Sequence, residues 1–431
     1  MVAVLTHFRH VFSLISFWSR VFRFFFPLQI RSATAVKNKP ISRLPTFRLA
    51  LLTTDNRENN RDYSAPLPYF GAAPTALLEG FSNLPDLEVH VLSCTQQPMS
   101  SPTKLADNIW FHSLHVPKIG WLRTGYAGCI LAVRKKLKEI QPDIVHGQGT
   151  ERDCGISAVF SGFPNVITIH GNMAELARIF HARFGSFHWW TAKLENFILP
   201  RTGGVFCNSI HTQTLVSPRA QATWLVPNAL RTAFLDHIPI IRNAVQRPLI
   251  LVVGVVTPNK RQLELLACLN RLHQQKVHFQ VKFLGSAGSD TYANNFRSKI
   301  AAAELEGWAN YCGVLKEVTL IQCMDTAHAL LHFPQEEAFG LVVAESLARG
   351  LKLFASSVGG IRDIASGVPE ADLIDPEDWE GLQRSLLRWI QKPISSSPQT
   401  QQLMISRYHP KVIATRHLEI YREVLSASNP S

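Results

Sequence analysis

Two glutamates separated by seven residues, Glu337 and Glu345, are the side chains of this chain best spaced for polar ligand chemistry. Phe339 and Gly340 lie between them, and the apolar spacing of Leu341–Ala348 predicts a short helix. Glu337 then lies in a strand-to-helix loop, and Glu345 lies further along the helix. Main-chain N–H groups at a helix start attract phosphate, and carboxylates accept hydrogen bonds from sugar hydroxyls. The pattern favours a phosphorylated, polyhydroxylated ligand. Taken without the rest of the pattern, Glu337 is also explained as a helix-capping acid and Glu345 as a solvated helix residue.

A second polar segment follows the apolar run Leu249–Val253. Gly254 ends this predicted strand, and Pro258 is expected to open a helix that carries Lys260 and Arg261 near its start. A cation at a helix N-terminus opposes the helix dipole, so a purely structural role explains Lys260 poorly. An anionic ligand is the better explanation.

Strands and helices alternate from Phe47 onward, which predicts doubly wound parallel sheets. Binding groups in such sheets lie just beyond the carboxyl ends of the strands. Gly71, His146 and His170 occupy such positions. A helix is predicted from Pro74, just after Gly71. For each histidine, a packed role and a functional role are equally consistent with the sequence.

The run Glu-x-Phe-Gly-x4-Glu from Glu337 to Glu345, followed by Ser356–Gly360, resembles the signature of the family-4 retaining glycosyltransferases of the GT-B superfamily. The resemblance covers roughly residues 47–426. It implies an α/β GT-B fold, in which two Rossmann-like domains face each other across a cleft. The expected boundaries are an N-terminal extension (1–46), an acceptor domain (47–228), a linker (229–247), a donor domain (248–405) and a C-terminal helix that crosses back (406–431).

The resemblance also implies roles for individual residues. Lys260, helped by Arg261, would stabilise the departing diphosphate. Glu345 would hold the ribose hydroxyls, Glu337 the hydroxyls of the donor sugar, and His170 would contact that sugar from the first domain. The remaining expected donor contacts are Gly71, Gly254, Phe339, Gly340 and Leu341.

The implied reaction is a retaining sugar transfer from a UDP- or GDP-sugar to a hydroxyl of a carbohydrate or lipid-linked acceptor, as in the synthesis of cell-envelope glycans or glycolipids. No metal or other cofactor is expected, and no acid-x-acid metal motif follows an apolar strand. Val255 stands where the family usually has Arg. That departure leaves open a non-catalytic protein that binds a nucleotide sugar or a partner protein, and a GT-B epimerase is a third alternative.

The composition indicates the compartment of the protein and excludes one class of partner. Seven scattered cysteines without a Cys-x-x-Cys pair argue against a disulfide scaffold and a structural zinc site, and favour a reducing cytosol. Residues 1–46 carry seven cations and no acid, which accounts for more than half of the net charge of +12. Nucleic-acid binding is therefore not expected.

The segment Phe8–Ile30 is basic and aromatic, and no uncharged apolar run in it is long enough to span a bilayer. A membrane-surface element, a targeting peptide and a spurious extension all remain open for it. We expect a cytoplasmic protein, with contact to the inner face of the cell membrane as an alternative. A second aromatic and basic segment, Arg178–Lys193, would face the acceptor or a membrane, or supply core contacts.

Overall fold

The strands of this protein bury both faces, as expected for parallel sheets covered by helices. In β1 (Phe47–Leu52), Leu49 and Leu51 point to one core, and Ala50 and Leu52 to another. The computed structural model describes residues 46–236, 247–391 and 398–428. The expectations for Phe8–Ile30 and for most of the linker concern residues outside those ranges. Within the ranges, no helix has the length and apolar character needed to cross a membrane.

The first sheet has the strand order β3-β4-β2-β1-β5-β6-β7-β8, and every pairing is parallel except that of β3. Its other strands are β2 (Leu87–Thr95), β3 (Lys104–Ala106), β4 (Ile109–His115), β5 (Ile144–Gln148), β6 (Asn165–Ile169), β7 (Val205–Cys207) and β8 (Thr223–Leu225). The helices of this half are α1 (Asn56–Asn60), α2 (Ala72–Ser82), α3 (Ala127–Ile140), α4 (Asp153–Val159), α5 (Met173–Ile179), α6 (Phe187–Ile198) and α7 (Ile210–Val216).

The second sheet has the order β11-β10-β9-β12-β13-β14, and all of its pairings are parallel. Its strands are β9 (Leu249–Val253), β10 (Gln280–Leu284), β11 (Ala309–Gly313), β12 (Ala329–His332), β13 (Lys352–Ser356) and β14 (Ala371–Ile374). Its helices are α8 (Gln262–Gln274), α9 (Thr291–Leu305), α10 (Glu317–Thr326), α11 (Leu341–Ala348), α12 (Ile361–Ala365), α13 (Trp379–Gln391) and α14 (Pro398–Tyr408). The predicted α/β architecture of two Rossmann-like halves is confirmed.

Two local expectations are corrected, and one short strand was missed. The helix predicted from Pro74 already begins at Ala72. The helix predicted at Pro258 begins only at Gln262, because residues 257–261 form a turn in which the N–H groups of Lys260 and Arg261 both donate to the Thr257 carbonyl. The short antiparallel strand β3 was not predicted, since its three residues are too few to show a period.

The last helix, α15 (Pro410–Ser428), packs against α2 of the first half. Gly80 makes this possible, because a Cβ there would lie 2.3 Å from the Pro410 carbonyl oxygen and 2.7 Å from the Ala414 Cβ. Further along, the Tyr421 ring stacks on Phe47 at 6.1 Å. The end of the chain therefore joins the second half to the first.

Gly80→Ala tests this close helix contact. Alanine favours a helix interior by about 1 kcal/mol, but the clash with a backbone carbonyl should outweigh that gain and lower the free energy of unfolding by about 1–3 kcal/mol. Thermal or denaturant unfolding measures the change. Gly71→Ala is the control, because its Cβ would meet only the Pro74 side chain at 3.7 Å. Unchanged stability in Gly80→Ala would contradict the tight packing.

Candidate active site

The loop after β12 carries Glu337 and is shaped by the glycine pair that follows β13. Gly359 has φ 46°, and a Cβ there would lie 1.8 Å from the Glu337 carbonyl oxygen. The N–H of Gly360 donates to that same oxygen at 2.9 Å. Side chains at these two positions would push the loops apart. The glycine pair of the sequence signature therefore serves to hold the Glu337 loop in place.

The Glu337 carboxylate lies between two nitrogen groups. The Lys260 ammonium donates to Oε2 at 2.5 Å, and the His332 Nε2 lies 2.9 Å from the same oxygen. Burial alone would raise the pKa of Glu337, but the Lys260 charge and the His332 contact lower it to about 2. Burial also lowers the pKa of His332, which keeps its ring neutral. Glu337 is therefore an ionised acceptor whose charge is balanced by Lys260.

Glu345 is buried on α11, with 4% of its surface exposed, and is not a solvated helix residue. Its Oε1 accepts from the Arg231 guanidinium at 2.7 Å, and Arg231 also pairs with Glu317 at 2.6 Å. Burial raises the pKa of Glu345 despite the arginine. Arg231 was not predicted, because it stands in a segment between the two halves that has no periodic pattern.

The neighbours Lys260 and Arg261 point in different directions. Arg261 has φ 55°, and its guanidinium bonds the Pro376 carbonyl and pairs with Glu377, both at 2.5 Å. Arg261 thus fastens the turn to the loop after β14. Lys260 instead reaches Glu337. Val255, two residues before this turn, is 52% exposed.

His170, at the end of β6, donates from Nε2 to the Gln148 Oε1 at 2.8 Å, and burial lowers its pKa to about 4. Gln148 also contacts His146 at 3.2 Å. His146 in turn bonds the Tyr421 hydroxyl of α15 at 2.6 Å and Thr168 at 2.7 Å. His146 is therefore a packed residue with both ring nitrogens bonded. Gln148 was missed, although it lies two residues from His146 on one face of β5.

The two halves meet at a buried hydrogen bond next to these groups. The Asn172 amide, two residues after His170, donates to Glu336 Oε1 at 2.9 Å. The main chain of Glu336 is held on both sides by the Asn259 amide, at 3.0 and 2.9 Å. Burial raises the pKa of Glu336 to about 7. Glu336 was missed, because its neighbour Glu337 completed the motif.

A cleft of about 410 Å³ opens between the two sheets. The first half lines it with Glu175, Arg178 and His211, and the second half with Glu336, Arg362 and the predicted residue Arg261. Both signs of charge are present, so the cleft walls suit a polar ligand.

At the remaining predicted donor contacts, the polar groups available to a ligand belong to the main chain. Gly71 is the residue before α2, with an ordinary φ of −60°. Phe339 is buried, and its ring packs on Tyr408 at 5.5 Å. Gly340 has φ 102° and precedes Leu341, the first residue of α11.

One group of potential metal ligands exists among the described residues. Cys94, Cys129 and Asp153 are buried in the first half, and their ligand atoms lie within 4.8 Å of one another. The contact with Cys129 and burial raise the pKa of the Cys94 thiol well above its usual value, so the thiol stays protonated. All seven cysteines are free. The group fits a thiol–carboxylate cluster of the core better than a metal site.

Glu336→Gln tests the raised pKa at the junction of the two halves. The raised pKa lets the folded state keep the Glu336 proton up to about pH 7, whereas an unfolded glutamate loses it near its ordinary pKa of 4.5. The wild type therefore loses about 3 kcal/mol of stability as the pH rises through this window, and the glutamine variant does not. Unfolding curves at pH 5 and pH 8 should show the variant gaining stability relative to wild type at the higher pH.

Glu380→Gln is the control, because its side chain is 84% exposed. An equal stability difference between wild type and Glu336→Gln at both pH values would contradict the shifted pKa.

Comparison with solved structures identifies the fold. Sucrose-phosphate synthase from Thermosynechococcus elongatus aligns over 88% of this chain and 100% of its own, with a TM-score of 0.70 and 16% identity. Anabaena HepE, solved in complex with UDP-glucose, aligns over 87% and 99%, with a TM-score of 0.63 and 16% identity. The lipopolysaccharide outer core galactosyltransferase WaaB aligns over 88% and 99%, with a TM-score of 0.60 and 16% identity. At these identities the likeness establishes the GT-B fold.

Family models match both halves of the sequence. The model described as Glycosyltransferase Family 4 matches residues 77–234. The model described as Glycosyl transferases group 1 matches residues 236–405. No curated protein sequence matches the chain. Together the two models cover most of the chain, which therefore belongs to the family-4 glycosyltransferases of the GT-B superfamily.

Proposed function

We propose that this glycosyltransferase moves a sugar from a UDP-sugar to an acceptor hydroxyl with retention of configuration. The observation that carries the proposal is the hydrogen bond between Asn172 and Glu336. It brings the loop that follows His170 against the loop that carries Glu337, so groups from both halves surround one cleft. A UDP-sugar is favoured over a GDP-sugar because HepE was solved with UDP-glucose.

In this proposal the two domains bind different substrates. The second domain (248–405) would hold the donor, and the first domain (47–228) would present the acceptor. The Lys260 ammonium would exchange its contact with Glu337 for the diphosphate oxygens, since charge stabilisation in a water-poor site is strong. Glu337, released from the lysine, would accept hydrogen bonds from the donor sugar. No divalent metal is part of this scheme, so the reaction should persist in EDTA.

The other contacts complete the donor site. Glu345 would accept hydrogen bonds from the ribose hydroxyls in place of its present bond to Arg231. The neutral His170 ring, held by Gln148, would present its second nitrogen to the donor sugar. Arg261, already paired with Glu377, would contribute positive potential near the diphosphate. The main chain at Gly71, Gly254 and Phe339–Leu341 would pass close to the donor.

The proposed acceptor is a carbohydrate or a lipid-linked glycan of the cell envelope. The aromatic and basic segment Arg178–Lys193 begins at the cleft lining and exposes part of its side chains. This segment supports an acceptor that is presented at a membrane surface. The protein would then act in the cytoplasm, in contact with the inner face of the membrane.

The first test is transfer by the purified chain with a panel of UDP- and GDP-sugars and envelope lipid extract. Release of nucleoside diphosphate and the anomeric NMR signal of the product report the donor and the stereochemistry. Lys260→Ala should lower kcat about 10²–10³-fold, because it removes the cation opposite the leaving group. Lys299→Ala, an exposed lysine on α9, is the control.

A Lys260→Ala enzyme with wild-type turnover would overturn the assigned role. Release of no diphosphate from any sugar, with any acceptor, would overturn the proposed reaction. Retained thermal stability in Lys260→Ala separates loss of chemistry from loss of fold.

Glu345→Gln tests the ribose contact. Since the ribose is bound equally in the ground state and the transition state, the donor KM should rise about tenfold while kcat changes little. Glu317→Gln is a matched control, because Glu317 contacts the same Arg231 from a more exposed position. An equal donor KM in both variants would show that Glu345 pairs with Arg231 and does not bind the ribose.

A further inference from the structure

The segment between α5 and the middle of α6 exposes aromatic rings that a folded core would normally cover. Phe184 is 59% exposed and Phe187 is 55% exposed. The alternative that these rings are core contacts is therefore wrong for both. The rings of Phe184, Trp189 and Trp190 form one chain with centroid distances of 4.7 and 4.8 Å. Exposed aromatic groups of this kind mark interaction surfaces.

The same segment is positively charged. Between Glu175 and Glu195 there is no acidic residue, and the cations are Arg178, Arg183 and Lys193. Arg178 is paired with Glu175. The Lys193 ammonium lies 5.6 Å from the centre of the Trp189 ring, and both Arg183 and Lys193 are exposed. Aromatic rings beside unscreened cations suit the headgroup region of an anionic lipid surface.

A second loop has the same composition. Residues 117–125, which follow β4, contain no acid, and they include Lys118, Arg123 and two exposed apolar side chains, Ile119 at 79% and Leu122 at 40%. The strands β4 and β6 are parallel members of one sheet, so both end at the same edge. Residues 117–125 come soon after β4, and residues 180–193 come after β6 and the short helix α5. Two acid-free segments with exposed apolar side chains therefore follow strands that end at this edge of the first domain.

This surface adjoins the cleft. Arg178 and Ile179, the last residues of α5, line the cleft, and the aromatic segment begins at the next residue. A bilayer on this surface would therefore lie beside the opening through which an acceptor enters. A second copy of the chain is a poorer partner, because two acid-free surfaces would repel each other.

We infer that residues 180–193, assisted by the loop 117–125, form a docking surface for an anionic lipid membrane. The Phe184 and Phe187 rings enter the headgroup layer, and Arg183 and Lys193 contact lipid phosphates. This inference deepens the membrane contact of the proposed function by naming the surface. It is tested without donor or acceptor, so its failure leaves the proposed transfer untouched.

The experiment is co-sedimentation of the full chain with vesicles of phosphatidylglycerol and phosphatidylcholine, against vesicles of phosphatidylcholine alone. The wild type should bind the anionic vesicles more tightly, and added salt should weaken this binding. Phe184→Ser with Phe187→Ser should weaken it about tenfold, and Arg183→Ser with Lys193→Ser should remove most of the salt dependence. The control is Leu305→Ser with Val318→Ser, since these side chains are 91% and 66% exposed in the second domain.

Three results would overturn the inference. One is wild-type binding by the Phe184/Phe187 variant, which would assign any vesicle binding to another part of the chain, such as residues 1–46. Another is equal affinity for both kinds of vesicle. The third is a vesicle-free dimer that the variant abolishes, which would make the surface a contact between copies. Thermal unfolding of each variant verifies that the fold is intact.

Discussion

The arrangement of the site depends on the charge balance at one partly buried carboxylate. Only 16% of the Glu337 side chain is exposed, and an ionised carboxylate with so little water around it requires a nearby cation. Lys260 supplies the cation from a turn in the second domain, and His332 supplies a neutral donor from the strand below. The turn that carries Lys260 is fixed in its own right, because Arg261 bonds the neighbouring loop. An anionic ligand that contacts Lys260 must therefore compete with the ion pair between this lysine and Glu337.

Backbone proximity sets the second constraint. The Glu337 loop packs directly on the Gly359–Gly360 turn, and Gly285 lies so close to Gly254 that a Cβ would be 2.1 Å from the Gly254 carbonyl oxygen. These glycines let strand-end loops of one sheet approach each other without intervening side chains. The strand-end loops of the second half are therefore held together by close main-chain contacts.

The first domain is tied to the second through buried polar groups and through the last helix. Tyr421 of α15 bonds His146, and Gln148 connects His146 to His170. On the cleft side, Asn172 bonds Glu336 across the domains. Hydrogen bonds within such a buried polar chain strengthen one another. Displacement of α15 would consequently disturb the hydrogen bond of His170 to Gln148, although α15 and His170 are far apart in the sequence.

The sequence by itself determined the sheet architecture, the family and the positions of the charged residues, because strand periodicity and the Glu-x7-Glu signature are local patterns. It could not show that Glu345 pairs with Arg231, that Glu336 bonds Asn172, or that Lys260 and Arg261 diverge. Those contacts join residues from distant parts of the chain, and only the packing of two sheets brings them together. Exposure at Phe184 and Phe187 was also decided by tertiary structure. An aromatic residue has the same sequence pattern in a core and on a surface, and the difference lies in whether another element covers it.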